Sequence, residues 1–395
     1  MKVVLAVVLA KWPHAAAGHT VSTMNWALSF RELGCDVWLV EEISSDQCEP
    51  PNPGCHRSPQ EEFWHATAEE FGFAERQCLL VDGRSPDLEA FREFAAKADL
   101  FLNYSGQFRG LAFLGSRTRK FYLDVDPAFT QLWAATCGVD MNFAGHDKFL
   151  TVGTRLNDTE GLVPDTGQTW IPTCPPVAAA TWQARLARTN HRGAPSGELS
   201  GPVPSPEPAR AWTTVSHWYG YNDLPWAGRT YCGKRESLLA MRTLPALIPS
   251  PAAIATDLKP EWSDYTDFAD AGWQILPSSD ICRDVDTYLR FIATSRGEIG
   301  IAKQGYVISR CGWISDRSVT YLSLGRPVVL HDTGWPGSVE PAPGFLPFSN
   351  VEEAAQAIQN IESDYATHST GAFELARTCF SAQTVLGPLL AACRT

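Results

Sequence analysis

The sequence has no long apolar run and no excess of positive charge. No stretch approaches the roughly 20 apolar residues of a membrane-spanning helix, so no span is predicted. The apolar start, MKVVLAVVLA, has one lysine and no membrane pattern behind it, and fits a buried parallel strand better than a signal peptide. The net charge is −12 at pH 7. Nucleic-acid binders are usually basic, so no polynucleotide partner is expected.

Several catalytic and cofactor motifs are also missing. The sequence has no G-x-G-x-x-G after the first predicted strand, no Walker A loop, no G-x-S-x-G turn and no H-E-x-x-H. These absences leave dinucleotide-binding, NTPase, serine hydrolase and zinc protease functions without support. The 11 cysteines form no C-x-x-C pair and no cluster with histidine at metal spacing. Most are predicted to be reduced thiols, which suits a cytoplasmic protein.

What the sequence does contain is a repeated alternation of short apolar strands and helices. A chain of 395 residues is expected to form two domains. Strands are predicted at 3–10, 37–42, 99–103, 119–124, 149–152, 212–216, 298–302 and 327–330. Helices are predicted at about 20–33, 87–97, 234–242, 282–294, 316–324, 350–363 and 371–393. This pattern predicts the α/β class, with two Rossmann-like domains that face a cleft.

A break in composition separates the two halves. Residues 172–211 are rich in Pro, Ala, Gly and Ser and show little periodicity, which predicts an interdomain linker with an exposed loop. The predicted organisation is therefore an N-terminal domain at 1–171, this linker, a C-terminal domain at 212–370 and a final helix within 371–395.

The stretch SDRSVTYLSLGRPVVLHDTG at 315–334 is the most informative one. Ser315 and Asp316 are typical helix-capping residues, and Gly325 is suited to end the helix that follows. The apolar run after Pro327 predicts a buried strand, which leads into the polar turn 332–334. A helix N-terminus beside the carboxyl end of a strand is a common binding place for phosphate.

Motifs along most of the chain carry a resemblance to a known fold family. They are GHT at 18–20, DVDPAFTQLW at 124–133, TVGTR at 151–155, TTVSHW at 213–218, YCGKRESL at 231–238, AKQGYV at 302–307, GWISDRS at 312–318, GRPVVLHDTGW at 325–335 and PGFLPF at 343–348. Together they resemble a bacterial, mostly uncharacterised subgroup of the GT-B fold glycosyltransferases. The resemblance implies that the C-terminal domain binds a UDP-, GDP- or TDP-sugar and the N-terminal domain binds the acceptor. It also implies a final helix that crosses back to the N-terminal domain.

The resemblance assigns donor-binding positions by their place in these motifs. Ser315, Asp316, Arg317 and Ser318 would lie where a helix N-terminus meets the donor pyrophosphate. A lysine at a helix start can approach phosphate as a point charge, and an aspartate can accept sugar hydroxyls. The implied donor-binding residues are Gly18, His217, Trp218, Lys234, Lys303, Ser315, Asp316, Arg317, Ser318, Asp332, Thr333 and Gly334.

Three residues of the N-terminal half are candidates for the base that activates an acceptor. His19 has a side chain whose pKa is near neutral, and it follows the first strand. Asp124 and Asp126 end the strand at 119–124, and either one is alternatively a cap for a helix at 127–135. A D-x-D pair binds a metal in another class of glycosyltransferases, but GT-B enzymes are metal-independent. No metal site and no cofactor are therefore expected.

One position departs from the family pattern. Many GT-B enzymes have a glutamate five residues before the Gly-x-Pro to hold the ribose diol, and Thr320 stands there in this chain. The base of the donor nucleotide cannot be inferred for this reason. The function that the resemblance implies is transfer of a sugar from a nucleotide-sugar to an acceptor hydroxyl or amine. Two other functions remain open: a sugar-nucleotide epimerase or phosphorylase on the same fold, and a non-catalytic protein that binds a ligand or partner.

Overall fold

The apolar start of the chain forms the central strand of the first of two parallel sheets. The computed structural model of the protein describes residues 1–14, 17–51, 56–190 and 211–393. The elements of the first half are β1 (Lys2–Ala6), α1 (Ala17–Glu32), β2 (Asp36–Ile43), α2 (Pro59–Glu70), β3 (Gln77–Val81), α3 (Leu88–Ala95), β4 (Leu100–Tyr104), β5 (Arg119–Asp124), α4 (Phe129–Thr136), β6 (Lys148–Thr151), β7 (Trp170–Pro172) and α5 (Ala179–Asn190). The seven strands are parallel, in the order β3-β2-β1-β4-β5-β6-β7.

The second half forms another parallel sheet. Its elements are β8 (Trp212–Ser216), β9 (Leu224–Trp226), β10 (Arg229–Tyr231), α6 (Arg235–Ala240), β11 (Ala252–Thr256), α7 (Ser263–Asp270), β12 (Trp273–Pro277), α8 (Ser278–Ile281), α9 (Val285–Thr294), β13 (Gly297–Gly300), α10 (Gln304–Ser309), α11 (Asp316–Ser323), β14 (Val328–His331), β15 (Phe345–Phe348), α12 (Val351–Ser363), α13 (Tyr365–Cys379) and α14 (Ala382–Ala392). Six parallel strands follow the order β12-β11-β8-β13-β14-β15, and β9 and β10 form a separate antiparallel hairpin. The predicted α/β class with two Rossmann-like domains is confirmed.

Apolar side chains fill both faces of each sheet, as parallel sheets require. One buried cluster joins the inner face of the first sheet to helices of the second half, and includes Val21, Phe129, Tyr288 and Tyr321. Separate clusters cover the other face of the second sheet and the other face of the first sheet. The two domains therefore share a continuous apolar interface beside the cleft.

The first strand is shorter than predicted. It ends at Ala6 instead of residue 10. The backbone N–H groups of Leu9, Ala10 and Lys11 donate to the carboxylate of Glu41 at 2.7, 2.7 and 3.1 Å. Because these N–H groups donate to a side chain, they do not continue the backbone hydrogen bonds between β1 and its neighbouring strands, and the strand ends before them. Burial raises the pKa of Glu41 to about 7, against the effect of these three donors.

The segment predicted as a linker contains a helix. Helix α5 covers Ala179–Asn190, while residues 191–210 lie outside the described residues. Although the segment is rich in Pro and Ala, α5 has a buried face that includes Trp182 and Leu186. Arg185 binds Asp286 of α9 at 2.5 Å and also Glu70 of α2, so α5 connects the two domains. The prediction of an irregular linker is wrong for this part.

The final helix predicted at 371–393 is two helices. Helix α13 ends at Cys379, and α14 begins after Ser381, whose hydroxyl accepts the backbone N–H of Thr384 at 3.3 Å. This capping hydrogen bond marks the start of a new helix. Helix α14 packs against α1 of the first domain. No helix among the described residues has the length and apolar content needed to cross a membrane.

Asn25 is expected to be a large contributor to stability. Its Oδ1 accepts the backbone N–H of Ala178 at 3.0 Å and the indole N–H of Trp182 at 2.7 Å, in a buried site. Asn25→Ala leaves both donors unpaired, so the free energy of unfolding should fall by about 2–4 kcal/mol. Urea denaturation measures this change. The exposed Gln107→Ala is the control and should stay within about 0.5 kcal/mol of wild type; equal losses in both variants would contradict the assignment.

Candidate functional site

The carboxyl ends of strands from both sheets face each other across one cleft. Asp126 follows β5 of the first domain, and its Oδ1 accepts from Lys303 Nζ, after β13, at 2.7 Å. The same oxygen accepts the hydroxyl groups of Tyr221 and Tyr306 at 2.6 Å each. Lys303 Nζ also donates to the Tyr306 hydroxyl at 2.9 Å. Residues of both domains are therefore hydrogen-bonded at the base of the cleft.

Asp126 is held in its charged form by these partners. Burial alone would raise the pKa of this carboxyl, but the Lys303 ammonium and the two tyrosine hydroxyls hold it below the usual value. A carboxylate that accepts from three donors and has a lowered pKa is a weak base. This arrangement disfavours Asp126 as the group that takes a proton from an acceptor.

Asp124 lies inside the first domain, away from solvent. One oxygen accepts from Thr130 Oγ1 at 2.7 Å, and the other accepts from Thr151 Oγ1 at 2.9 Å and Gln131 Nε2 at 3.2 Å. The residue is fully buried, and burial raises the pKa of its carboxyl to about 6. Asp124 ties the start of α4 to β6 and does not reach the cleft, so the D-V-D pair does not converge on one ligand. Among the described residues no group of three His, Cys, Asp or Glu side chains is arranged to hold a metal ion.

His19 and Gly18 lie in the first turn of α1, where a turn had been predicted. The Nε2 of His19 donates to the carbonyl oxygen of Val8, so Nδ1 carries the lone pair when the ring is neutral. Burial lowers the pKa of His19, while Val8, Asp316 and Asp126 act in the opposite direction. His19 is thus a neutral imidazole close to acidic side chains of both domains.

Gly18 allows α1 to approach the second domain closely. A Cβ added at Gly18 would lie 3.4 Å from the ring of Tyr288, and the neighbouring Ala17 N–H donates to Cys282 O at 3.2 Å. The N-terminus of α1 therefore contacts the second domain directly, and a longer side chain at position 18 would have little room.

The N-terminus of α11 is fixed to the second sheet. Ser315 is its N-cap and accepts the Arg317 N–H at 3.2 Å. The guanidinium of Arg317 binds Glu298 at 2.5 Å and the carbonyl oxygen of Val215 at 2.6 Å. Its side chain is only 12% exposed, and its Nη2 is buried without a hydrogen-bond partner among the described residues. Ser318 is fully buried, and its hydroxyl has no partner among the described residues.

Lys234 is a lysine without an ion-pair partner among the described residues. It directly precedes α6 and is half-buried, and its amino group has no carboxylate within ion-pair distance in the described part of the chain. Burial lowers its pKa well below the usual value, and the nearby Arg317 and Lys303 lower it further. Glu298 and Asp316 are close enough to oppose this shift. Lys234, Lys303, Asp316 and Arg317 therefore form one electrostatic cluster.

Other predicted donor residues have structural contacts. Trp218 is fully buried; its backbone N–H donates to Asp257 and its indole donates to Asp264 at 2.8 Å. The His217 side chain is 80% exposed and pairs with Asp257 at 3.0 Å. Trp218 is therefore a core residue, contrary to the expectation that it contacts a donor.

The turn 332–334 supports the loop that leads into α11. Asp332 accepts the Gly334 N–H at 2.7 Å and pairs with Arg310 at 3.3 Å. The Thr333 hydroxyl donates to Trp313 O at 2.7 Å. Gly334 has φ +95°, and a Cβ there would lie 2.7 Å from Arg310 O, so only glycine fits.

Sequence reasoning missed three residues that bind the predicted site residues. They are Tyr221 and Tyr306, which bind Asp126, and Glu298, which binds Arg317. Tyr306 follows Lys303 by three residues at the start of α10, a spacing that puts two side chains on one helix face, and this signal could have identified it. Tyr221 and Glu298 have no local pattern, since their partners are distant in sequence.

No family model and no curated protein matches the sequence. The structure does resemble solved structures at low identity. Anabaena Alr3699/HepE in complex with UDP-glucose has a TM-score of 0.56 and 12% identity, over 100% of this chain and 99% of that chain. An alpha-glucosyltransferase in complex with UDP-glucose and DNA containing an abasic site has a TM-score of 0.57 and 10% identity, over 100% of both chains. Sucrose-phosphate synthase from Thermosynechococcus elongatus has a TM-score of 0.52 and 12% identity, over 100% of this chain and 98% of that chain. These similarities show that the chain has the GT-B fold.

The raised pKa of Asp124 predicts that stability falls as pH rises. The unfolded carboxyl titrates near about 3.9, so from there to about pH 6 the folded protein holds the extra proton. The stabilisation is complete below about pH 3.9 and is lost as pH passes about 6, with a total of about 3 kcal/mol. Urea denaturation between pH 4.5 and 7.5 should give a flatter profile for Asp124→Asn than for wild type.

The difference between the two profiles isolates Asp124, because Glu41 titrates in both proteins. Parallel profiles, displaced by a constant free energy, would show that Asp124 has no raised pKa.

Proposed function

We propose that the protein is a glycosyltransferase that moves a sugar from a nucleotide-sugar to an acceptor hydroxyl or amine. The observation that carries this proposal is Lys234, which has no carboxylate partner in the described structure, beside the capped N-terminus of α11. Burial and two neighbouring cations disfavour its charged form, so a dianionic group such as a diphosphate, bound between Lys234 and the free backbone N–H groups, would supply the missing counter-charge. The likeness to HepE and to the alpha-glucosyltransferase, both in complexes with UDP-glucose, supports a nucleotide-sugar as that ligand.

The donor diphosphate would lie between Lys234 and the first turn of α11. Departure of the nucleotide diphosphate leaves negative charge on its terminal phosphate, and fixed N–H groups and an ammonium stabilise this charge in the transition state. Arg317 acts here by holding the helix terminus to Glu298 and Val215, with its charge behind the phosphate. Asp316, at the same terminus, is suited to accept sugar hydroxyls. Gly18, His217, Lys303 and Asp332 stay predictions as donor contacts.

Recognition of the ribose must differ from the family pattern. The Thr320 hydroxyl donates to the carbonyl oxygen of Asp316 at 3.1 Å, within its own helix, and Thr320 is buried. Because its hydroxyl is buried, Thr320 does not replace the glutamate carboxylate that holds a ribose diol in the family pattern.

His19 is the proposed base for the acceptor. Its neutral ring leaves Nδ1 free to accept a proton, whereas Asp124 is buried away from the cleft and Asp126 is bound by three donors. An imidazole with a lowered pKa is unprotonated at neutral pH, as a base must be. The reaction needs no metal in this scheme, because the helix terminus and Lys234, whose pKa a bound diphosphate would raise, supply the positive charge.

Lys234→Met should weaken binding of the nucleotide diphosphate. Loss of a charge-assisted contact is expected to cost about 1.5–3 kcal/mol, which is a factor of roughly 10 to 150 in Kd. Calorimetry with UDP, GDP and TDP identifies the best ligand for wild type and then measures it with the variant. Lys259→Met, at an exposed lysine, is the matched control and should bind as wild type does. Unchanged affinity in Lys234→Met would remove Lys234 from the site.

Turnover should survive a chelator. The D-V-D carboxylates are bound to Thr130 and Thr151 in one case and to Lys303 in the other, so neither is free for a metal. Transfer from the best nucleotide-sugar is measured before and after excess EDTA, and release of the nucleotide diphosphate should depend on an acceptor. Activity that disappears with EDTA and returns with manganese or magnesium would contradict the metal-independent scheme. Release without any acceptor would favour an epimerase.

A further inference from the structure

Asp126 accepts hydrogen bonds from three side chains of the other domain. Its Oδ1 accepts from Lys303 Nζ at 2.7 Å and from the hydroxyls of Tyr221 and Tyr306 at 2.6 Å. All three donors belong to the second domain, whereas Asp126 follows β5 of the first. These contacts therefore depend on how the two domains are placed relative to each other.

Aromatic rings surround this polar contact. Lys303 Nζ lies 3.8 Å from the ring centroid of Tyr221, and Phe129 of the first domain packs edge-on against Tyr221 and Tyr306 at 4.8 and 5.5 Å. A Cβ added at Gly305 would lie 2.6 Å from Phe129, so the two domains are in close contact. The side chains of Lys303 and Asp126 are 19% and 23% exposed, so water replaces few of their hydrogen bonds.

Hydrogen bonds to backbone carbonyl oxygens beside this cluster also cross between the domains. Arg155 N–H donates to Cys311 O at 2.9 Å, and the Thr154 hydroxyl donates to Gly312 O at 2.8 Å. Gly312 has φ +78°, and a Cβ there would lie 2.4 Å from Thr154 Oγ1. The cluster is thus part of one tight area in which the domains touch, next to the cleft.

We infer that Asp126 is a positioning residue: it binds Lys303 and two tyrosine hydroxyls of the second domain and so fixes the angle between the domains. A partly buried carboxylate that loses its charge leaves the facing ammonium without compensation, which disfavours the closed contact. The inference concerns the conformation of the cleft and stands whether or not the proposed glycosyl transfer is correct.

The test compares Asp126→Asn with wild type by small-angle X-ray scattering and amide hydrogen exchange. The radius of gyration should increase, and amides in 129–133 and 219–226, on both sides of the contact, should exchange about tenfold faster or more. Amides of the central strands β4 and β13 should keep their wild-type rates, which separates a change of domain angle from a general loss of stability. Asp140→Asn, which breaks the exposed 2.8 Å ion pair with Arg109 inside the first domain, is the control and should match wild type.

Two further variants test whether Lys303 and Tyr306 are the partners through which Asp126 acts, and the second is a mild change that keeps the ring. Lys303→Met combined with Asp126→Asn should give no more exchange than either change alone, because both remove one contact. Tyr306→Phe keeps the aromatic ring and removes one hydroxyl donor, so the same amides should exchange faster than in wild type, by a smaller factor than in Asp126→Asn. Wild-type scattering and exchange in Asp126→Asn and Tyr306→Phe, faster exchange on one domain only, or additive effects in the double variant would each overturn the inference.

Discussion

The second half of the cleft depends on the buried ion pair between Glu298 and Arg317. Glu298 is fully buried on β13, a central strand, and Arg317 lies in the first turn of α11, 2.5 Å away. Burying two charges costs several kcal/mol, which attraction and further hydrogen bonds offset only in a fixed geometry. The bond from Arg317 to Val215 O extends the contact to β8. The helix terminus is therefore held at the carboxyl edge of the sheet, where Lys234 also lies.

Asp124 and Asp126 show how position decides the chemistry of identical side chains. Asp124 is the last residue of β5 and lies among neutral hydroxyl and amide donors, so burial dominates and raises its pKa. Asp126 lies two residues farther, beyond the strand end, where Lys303 offsets the effect of burial and lowers its pKa. The first side chain stabilises the domain to which it belongs, and the second contacts the other domain.

Local patterns were sufficient for much of the fold. Strand β14 and helix α11 agree with the prediction from 315–334, because a capping residue, a glycine at φ +71° and a β-branched run act within a few residues. The parallel order of strands also places their polar ends on one edge, and Lys303 and Asp126, which follow β13 and β5, are hydrogen-bonded to each other there. Helix α5 was missed because its buried face depends on Asn25 and other residues of distant elements.

The sequence by itself determined the α/β class, the two domains and the residues found at strand ends, since these follow from periodicity and turn chemistry. Tertiary structure alone decided which charges are paired. Asp126 and Lys303 are 177 positions apart, so their contact exists only once both domains have packed together. The same packing placed Arg317 on Glu298, buried Trp218 and left Lys234 without a carboxylate partner among the described residues. Pairing depends on distances and exposure in the folded molecule, which no local pattern encodes.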